Sequence, residues 1–233
     1  MHLFYSSNVT QELNVLGEQE SWHCTRVLRL TDGGIIHVTD GLGNLYECLI
    51  IHADPKQCIV KVVSTMKEYL KQNYFLHIGI APTKSMDRFE WFLEKAVEIG
   101  IDEITPIFCV HSERIKLKTE RLQKILISAM KQSLKAYLPK LNEPSDLESL
   151  LLRDLKGQKF IAYCESGKED ELQRVYRRGE DAVILIGPEG DFSSEEVSIA
   201  EKKEFIPISL GKSRLRTETA GIVVCHTILL MNS

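Results

Sequence analysis

The chain has 233 residues, of which 43% are hydrophobic and 27% charged, and its formal net charge is −4. That length suits one small and one medium domain, with a core that needs no disulfide staples. The acidic balance excludes a protein that coats nucleic acid nonspecifically, and no run is apolar for long enough to suggest a membrane helix or a secretory leader, so a cytoplasmic location is expected. The cysteines at 24, 48, 58, 109, 164 and 225 show neither metal-knuckle nor C-x-x-C spacing and read as free thiols, with no metal site implied.

In chain order, a short helix is predicted over 18–28, then strands over 35–39, 46–52 and 58–63, each rich in β-branched and apolar residues. Turn signals separate the strands: Asp32-Gly33-Gly34, the run from Asp40 to Asn44, and Asp54-Pro55. Closely spaced strands joined by such turns suggest a small β-barrel over 1–70. A polar stretch over 67–73 reads as a linker.

Strands and helices alternate over 74–233, which implies a parallel sheet covered on both faces. Strands are predicted over 75–81, 103–110, 159–164, 182–186 and 205–210. Helices are predicted over 86–99, 119–137, 168–178, 194–203 and 218–231. The helix over 86–99 carries Phe89, Phe92, Leu93, Ala96 and Val97 at helical spacing, and Gly100 is its stop. Pro139 forbids the helix over 119–137 from running further.

Charge is unevenly spread. Residues 111–140 hold eight Lys or Arg against Glu113 and Glu120, whereas residues 1–70 hold five against eight acids. The basic run marks either a solvated helix face or a phosphate-binding surface.

Ligands of open α/β sheets bind beyond the carboxyl ends of the strands, so the loops leaving the last two strands carry the chemistry. The first is Gly187-Pro188-Glu189-Gly190-Asp191-Phe192-Ser193, where Ser193 and Glu196 have the spacing of a capping box. The second runs from Leu210 through Gly211 and Arg216 to Ala220. Thr217 is the expected N-cap of the last helix, and Glu218 lies where the helix dipole favours an anion. Arg216 stands where the same dipole disfavours a cation, which suggests a task beyond stability.

Gly211-Lys212-Ser213 is not a phosphate-binding P-loop, because Ile206 occupies the position of the required upstream glycine. Gly41-Leu42-Gly43 is not a dinucleotide fingerprint, because Tyr46 replaces its third glycine.

Together, Gly-Pro-Glu-Gly-Asp-Phe-Ser (187–193) and Leu-Gly followed by Leu-Arg-Thr-Glu-Thr-Ala (within 210–220) resemble the signature of the 16S ribosomal RNA (uracil(1498)-N(3))-methyltransferase family of the SPOUT superfamily. His23 to Arg29, Lys84 with Asp87-Arg88, Glu94 to Gly100, Ile104-Thr105-Pro106 and Ser112-Glu113-Arg114 resemble further segments of that family in the same order. Three segments depart from it. Lys131-Gln132-Ser133-Leu134-Lys135 replaces Glu-Gln-Ser-x-Arg, Ser213-Arg214 replaces Arg-Ile, and Asp191 replaces a glycine.

The resemblance implies an α/β fold: a PUA-like, RNA-binding N-terminal barrel followed by a SPOUT domain with a deep trefoil knot. It implies S-adenosylmethionine (SAM) as cofactor, 16S ribosomal RNA within the small ribosomal subunit as partner, and a homodimer. The SAM contacts it implies are Ile186, Gly187, Gly190, Leu210, Gly211, Leu215, Arg216 and Ala220, with Glu165 at the rim. Arg216 would stabilise the negative charge that uracil carries once N3 loses its proton, and Glu218 would orient Arg216. Arg26, Arg29, Lys84, Arg88, Arg114, Lys131 and Lys135 would contact RNA. Competing expectations are a SPOUT enzyme acting on another base or a ribose 2′-hydroxyl, and a noncatalytic ribosome-assembly protein that binds no SAM.

Overall fold

The computed structural model describes residues 1–10, 12–163 and 170–233. Two compact units emerge, one formed by Met1–Lys71 with Ile127–Leu138, the other by Gln72–Leu126 with Pro139–Ser233.

In the first unit, strands β1 (Leu3–Tyr5), β2 (Leu13–Val15), β3 (Ile35–Thr39), β4 (Leu45–His52) and β5 (Ile59–Met66) form a curled sheet in the order β1-β3-β4-β5-β2. All neighbours are antiparallel except β1 and β3. Alternation along β3 and β4 sends Ile36, Val38, Tyr46, Cys48 and Ile50 inward, where they meet Phe4, Leu16, Cys24, Cys58 and Val60. The helix expected over 18–28 is a composite. A short α1 (Glu18–Trp22) runs into a π-helical turn, His23–Val27, and Arg29 beyond it has φ +54°.

The second unit is a parallel sheet in the order β12-β10-β11-β6-β7-β8, with the two-residue β9 (Ser145–Asp146) also pairing to β7. Its strands are β6 (Leu76–Ile80), β7 (Glu103–Phe108), β8 (Lys140–Leu141), β10 (Gln158–Ala162), β11 (Ala182–Ile186) and β12 (Ile206–Ile208). The central strands β6 and β11 are buried along their whole length, which is why Leu-His-Ile-Gly-Ile and Ala-Val-Ile-Leu-Ile read as unbroken runs rather than alternating ones. One face packs under α4 (Leu147–Leu151) and α6 (Ser194–Glu201), through Leu147, Leu150, Leu151, Val197 and Ala200. Against the other lie α2 (Met86–Ile99) and α7 (Thr217–Asn232), whose buried residues include Phe89, Phe92, Leu93, Val224 and Ile228.

Three expected elements are shorter than the periodicity suggested. Helix α3 (Thr119–Gln132) stops well before Pro139: the Ser133 hydroxyl donates back to the Ala129 carbonyl and Leu134 turns left-handed, with φ +56°. Helix α5 (Leu172–Val175) is a single turn, and the beginning of the helix expected over 168–178 lies partly outside the described residues. Strand β12 covers only three residues, because Ser209 and Gly211 already belong to a loop held by their own hydrogen bonds.

Candidate active site

The carboxyl ends of β10, β11 and β12 open on one cleft of about 730 Å³. Its walls are the two loops singled out in the sequence. Ile186, Gly187, Pro188, Glu189 and Asp191 line it from the first, and Ser209 to Thr217 with Ala220 line it from the second. Of the expected cofactor contacts, Ile186, Gly187, Leu210, Gly211, Leu215, Arg216 and Ala220 are thus gathered in one place. Gly190 is on the first loop but outside the lining, and Glu165 lies outside the described residues.

Both loops are pinned before any ligand arrives. On the first, Ser193 and Glu196 form the capping box at the start of α6, and the buried Glu196 also accepts from the Val110 amide at 2.9 Å. The Asp191 amide donates to Pro188 O at 2.9 Å, and the Lys84 amide donates to Glu189 Oε1 at 3.0 Å. Asp191 has φ +63°, the left-handed region that glycine enters at least cost, which accounts for the glycine of the resembling family at this position. On the second loop, the Ser209 hydroxyl both accepts from the Gly211 amide and donates to its carbonyl, at 3.2 and 3.1 Å. Gly211 itself has φ +115°, where a side chain is strained whatever space surrounds it.

Thr217 differs from expectation. The N-cap of α7 is Arg216, with φ −76° and ψ 156°, and Thr217 is the first helical residue. Its buried hydroxyl donates instead to the Gly187 carbonyl at 3.0 Å, joining the two loops. A Thr before an apolar helix usually caps it, and only the three-dimensional structure reveals a partner so far away in sequence.

The Arg216 side chain is exposed at the cleft, at the N-terminal end of a 16-residue helix. Glu218 is buried and pairs with Arg88 on α2, Nε to Oε1 at 3.8 Å, rather than with Arg216. The other Glu218 oxygen, Oε2, is buried and has no hydrogen-bond partner among the described residues. A buried carboxylate oxygen with an unfilled acceptor position is costly, and such a cost commonly marks a working residue.

The basic residues expected to touch RNA fall in both units. In the first, Arg26 and Arg29 are exposed, Lys135 is half-buried, and Lys131 is paired at 2.5 Å with the largely buried Glu20 of α1. In the second, Lys84 and Arg88 are exposed, and Lys84 pairs with Glu113 at 2.8 Å. Arg114 donates to the Lys84 carbonyl at 2.7 Å and to the Thr83 carbonyl at 3.3 Å, bracing the segment that in turn holds Glu189.

Known proteins share this architecture. Residues 70–229 match the family described as the RNA methyltransferase domain, and residues 16–63 match the RNA methyltransferase PUA domain. A ribosomal RNA small subunit methyltransferase E of Aquifex aeolicus is 28% identical, with both chains covered to 100%. A Porphyromonas gingivalis structure described as a probable rRNA-methyltransferase is 42% identical and superposes with a TM-score of 0.91 over 99% of each chain. A methyltransferase structure from Legionella pneumophila, described as a complex with the bound cofactor SAM, is 26% identical with a TM-score of 0.87 over 99% of this chain and 98% of that one. The chain belongs to the RNA methyltransferase family that joins a PUA domain to a methyltransferase domain, the family of the ribosomal RNA small subunit methyltransferase E proteins. No helix among the described residues is long and apolar enough to cross a membrane.

Proposed function

We propose that this chain is a cytoplasmic enzyme that uses SAM to methylate N3 of a uridine, position 1498, in the 16S ribosomal RNA of the small ribosomal subunit. The observation that carries the proposal is the convergence of both signature loops on one cleft, with Arg216 at its edge.

The cleft suits SAM. Its volume of about 730 Å³ lies within the usual range of small-molecule sites. The lining pairs apolar Ile186, Ile208, Leu210, Leu215 and Ala220 with the backbone of two glycine-bearing loops, a combination that accepts a flat base and hydrogen-bonds its edge. Ile186, Gly187, Leu210, Gly211, Leu215, Arg216 and Ala220 would hold the cofactor, with Gly190 keeping the first loop in shape. When bound, SAM supplies an electrophilic methyl group.

The protein's own contribution is placement and charge. N3 of uracil reacts once its proton is lost, which leaves negative charge shared with O2 and O4. The Arg216 guanidinium, aimed at the position where that charge develops, stabilises it. Glu218, steadied by Arg88, acts from the α2 side of the same helix end, and its unfilled Oε2 is an acceptor for a proton or for a donor on the substrate. N3 lies on the Watson–Crick edge, so the target uridine must be unpaired to react. Arg26, Arg29, Lys84 and Arg88 are exposed and contribute phosphate contacts; Lys135 adds to them, while Arg114 and Lys131 act chiefly by bracing their surroundings.

Two copies form the active unit in this proposal, and the C-terminal domain is knotted. On α7, Leu230 is 65% exposed and Ile222, Val223 and Leu229 are partly exposed, which supports the first point. The return of β11 to a place between β6 and β10 supports the second.

The test is to incubate the purified protein with methyl-labelled SAM and small subunits from cells lacking the gene. Nuclease digestion and mass spectrometry then locate the label. The expected product is N3-methyluridine at one site. Label on a ribose, on another base or nowhere would overturn the assignment.

A further inference from the structure

Trp22 is 55% exposed at the junction of α1 and the π-helical turn. An indole left this far in water forgoes a large burial gain, and among the described residues no aromatic ring or cation stacks on it. Val27, at 49% exposure, extends the apolar surface, and Arg26 and Arg29 stand exposed in the same short segment.

The segment is fixed from beneath. Ser21 and Cys24 are fully buried. The Ser21 hydroxyl donates to the Leu16 carbonyl and accepts from the Cys58 amide, each at 2.9 Å. The Cys24 and Cys58 sulfurs lie 4.0 Å apart. Two uncommon backbone features coincide here, since the π-helical turn is followed by a left-handed arginine at φ +54°. Such features persist where the surrounding structure enforces them, and they gather at functional sites. Of the nearby acids, Glu20 is paired with Lys131, while the exposed Glu18 lies one turn before Trp22 on the same helix face.

We propose that Trp22 is a stacking platform for an unpaired base of the RNA substrate, with Arg26 and Arg29 holding the adjoining phosphates. This rests on the RNA-directed function proposed above and adds to it a residue that reads the π-face of a base rather than its charge. The occupant is single-stranded RNA because an exposed ring flanked by guanidinium groups matches a base flanked by phosphates. The other tryptophan, Trp91, is 44% exposed on α2, among side chains of both signs.

The test uses the full chain carrying Trp91→Phe, so that Trp22 is the sole indole, and a labelled single-stranded oligoribonucleotide of about ten nucleotides. Binding should quench Trp22 emission to saturation. Trp22→Ala should weaken binding about 5- to 100-fold, as measured by polarisation of the labelled RNA, while Trp22→Phe retains most of the affinity. Circular dichroism confirms that each variant is folded. Should the RNA bind with Trp22 emission and Trp22→Ala affinity both unchanged, the stacking role is wrong and the RNA-directed function stands. Should the parent protein bind no oligoribonucleotide, the stacking role is wrong, and labelling of small subunits decides the RNA-directed function separately.

Discussion

The Thr217 hydroxyl donates to the Gly187 carbonyl across 3.0 Å, so the start of the last helix is tied directly to the loop leaving β11. Both groups are buried, and the bond sets the distance between the two walls of the cleft. Replacing Thr217 with Val keeps the shape and strands the Gly187 carbonyl. The expected cost is about 1–3 kcal/mol in folding stability, together with weaker SAM binding by calorimetry. Thr217→Ser keeps the donor and should recover most of both. If the Val variant binds SAM as the parent does, the bond does not set the cleft.

Arg216 offers a cleaner test of chemistry, because its side chain is exposed and caps nothing. Arg216→Ala should leave the melting temperature within a degree or two and lower kcat about 100- to 1000-fold, the usual loss for one preorganised charge-stabilising donor. Arg216→Lys should recover only part, because an ammonium lacks the planar fork. Glu218→Gln separates the neighbouring role. It removes the charge facing Arg88 at 3.8 Å while keeping the shape, and it should lower kcat while leaving the KM for SAM nearly unchanged. A full-speed Arg216→Ala enzyme would remove this residue from the mechanism.

Much of this site was legible in the sequence, for a physical reason. β11 and β12 end in glycine-bearing loops, and a parallel sheet presents such ends to ligands, so chain order pointed to the two loops, while the family resemblance named Ile186, Gly187, Leu210, Gly211 and Arg216 within them. Tertiary pairings were not legible. Nothing local marks Arg88 as the partner of Glu218, or Thr217 as the partner of Gly187. Short elements escaped too: β1, β2 and α4 are too brief for periodicity to register, and they exist because their neighbours bury Phe4, Asn14 and Leu150. The helix over 119–137 was overextended because the apolar spacing persists past Gln132, while Leu134 takes a backbone angle that no spacing rule detects.

His77 makes the second unit sensitive to acid. It is 4% exposed on β6, with Nε2 2.8 Å from the Thr105 hydroxyl. Asn142 donates to that hydroxyl oxygen at 2.7 Å, which leaves the hydroxyl proton for the ring, the arrangement of a neutral imidazole. Burial is the main cause that pushes His77 from its ordinary 6.5 down to about 4; Lys140 and Arg153 add to it and Glu103 opposes it. Between those values the unfolded chain binds the proton and the folded chain does not, so stability is full above pH 6.5 and is lost as pH falls towards 4. The loss should approach about 3 kcal/mol in denaturant titrations across that window. His77→Gln should show a visibly flatter dependence. Parallel curves for the two proteins would assign the acid sensitivity to other groups.

Gly221 sets two general effects against each other. A glycine within a helix costs about 1 kcal/mol relative to alanine, so propensity alone predicts that Gly221→Ala stabilises the 16-residue α7. Packing predicts the opposite. A Cβ at 221 would lie 2.4 Å from Phe92 Cε2 and 2.6 Å from Cδ2, and Phe92 is fully buried on α2 with no room to withdraw. Overpacking of this kind costs about 1–3 kcal/mol, enough to outweigh the gain. The variant should therefore melt at a lower temperature, and because the same α2–α7 contact holds Arg88 against Glu218, it should also turn over more slowly. Phe92→Leu in the same chain frees the space and should restore part of both; a variant that melts higher than the parent would show that the two helices have slack at their point of closest approach.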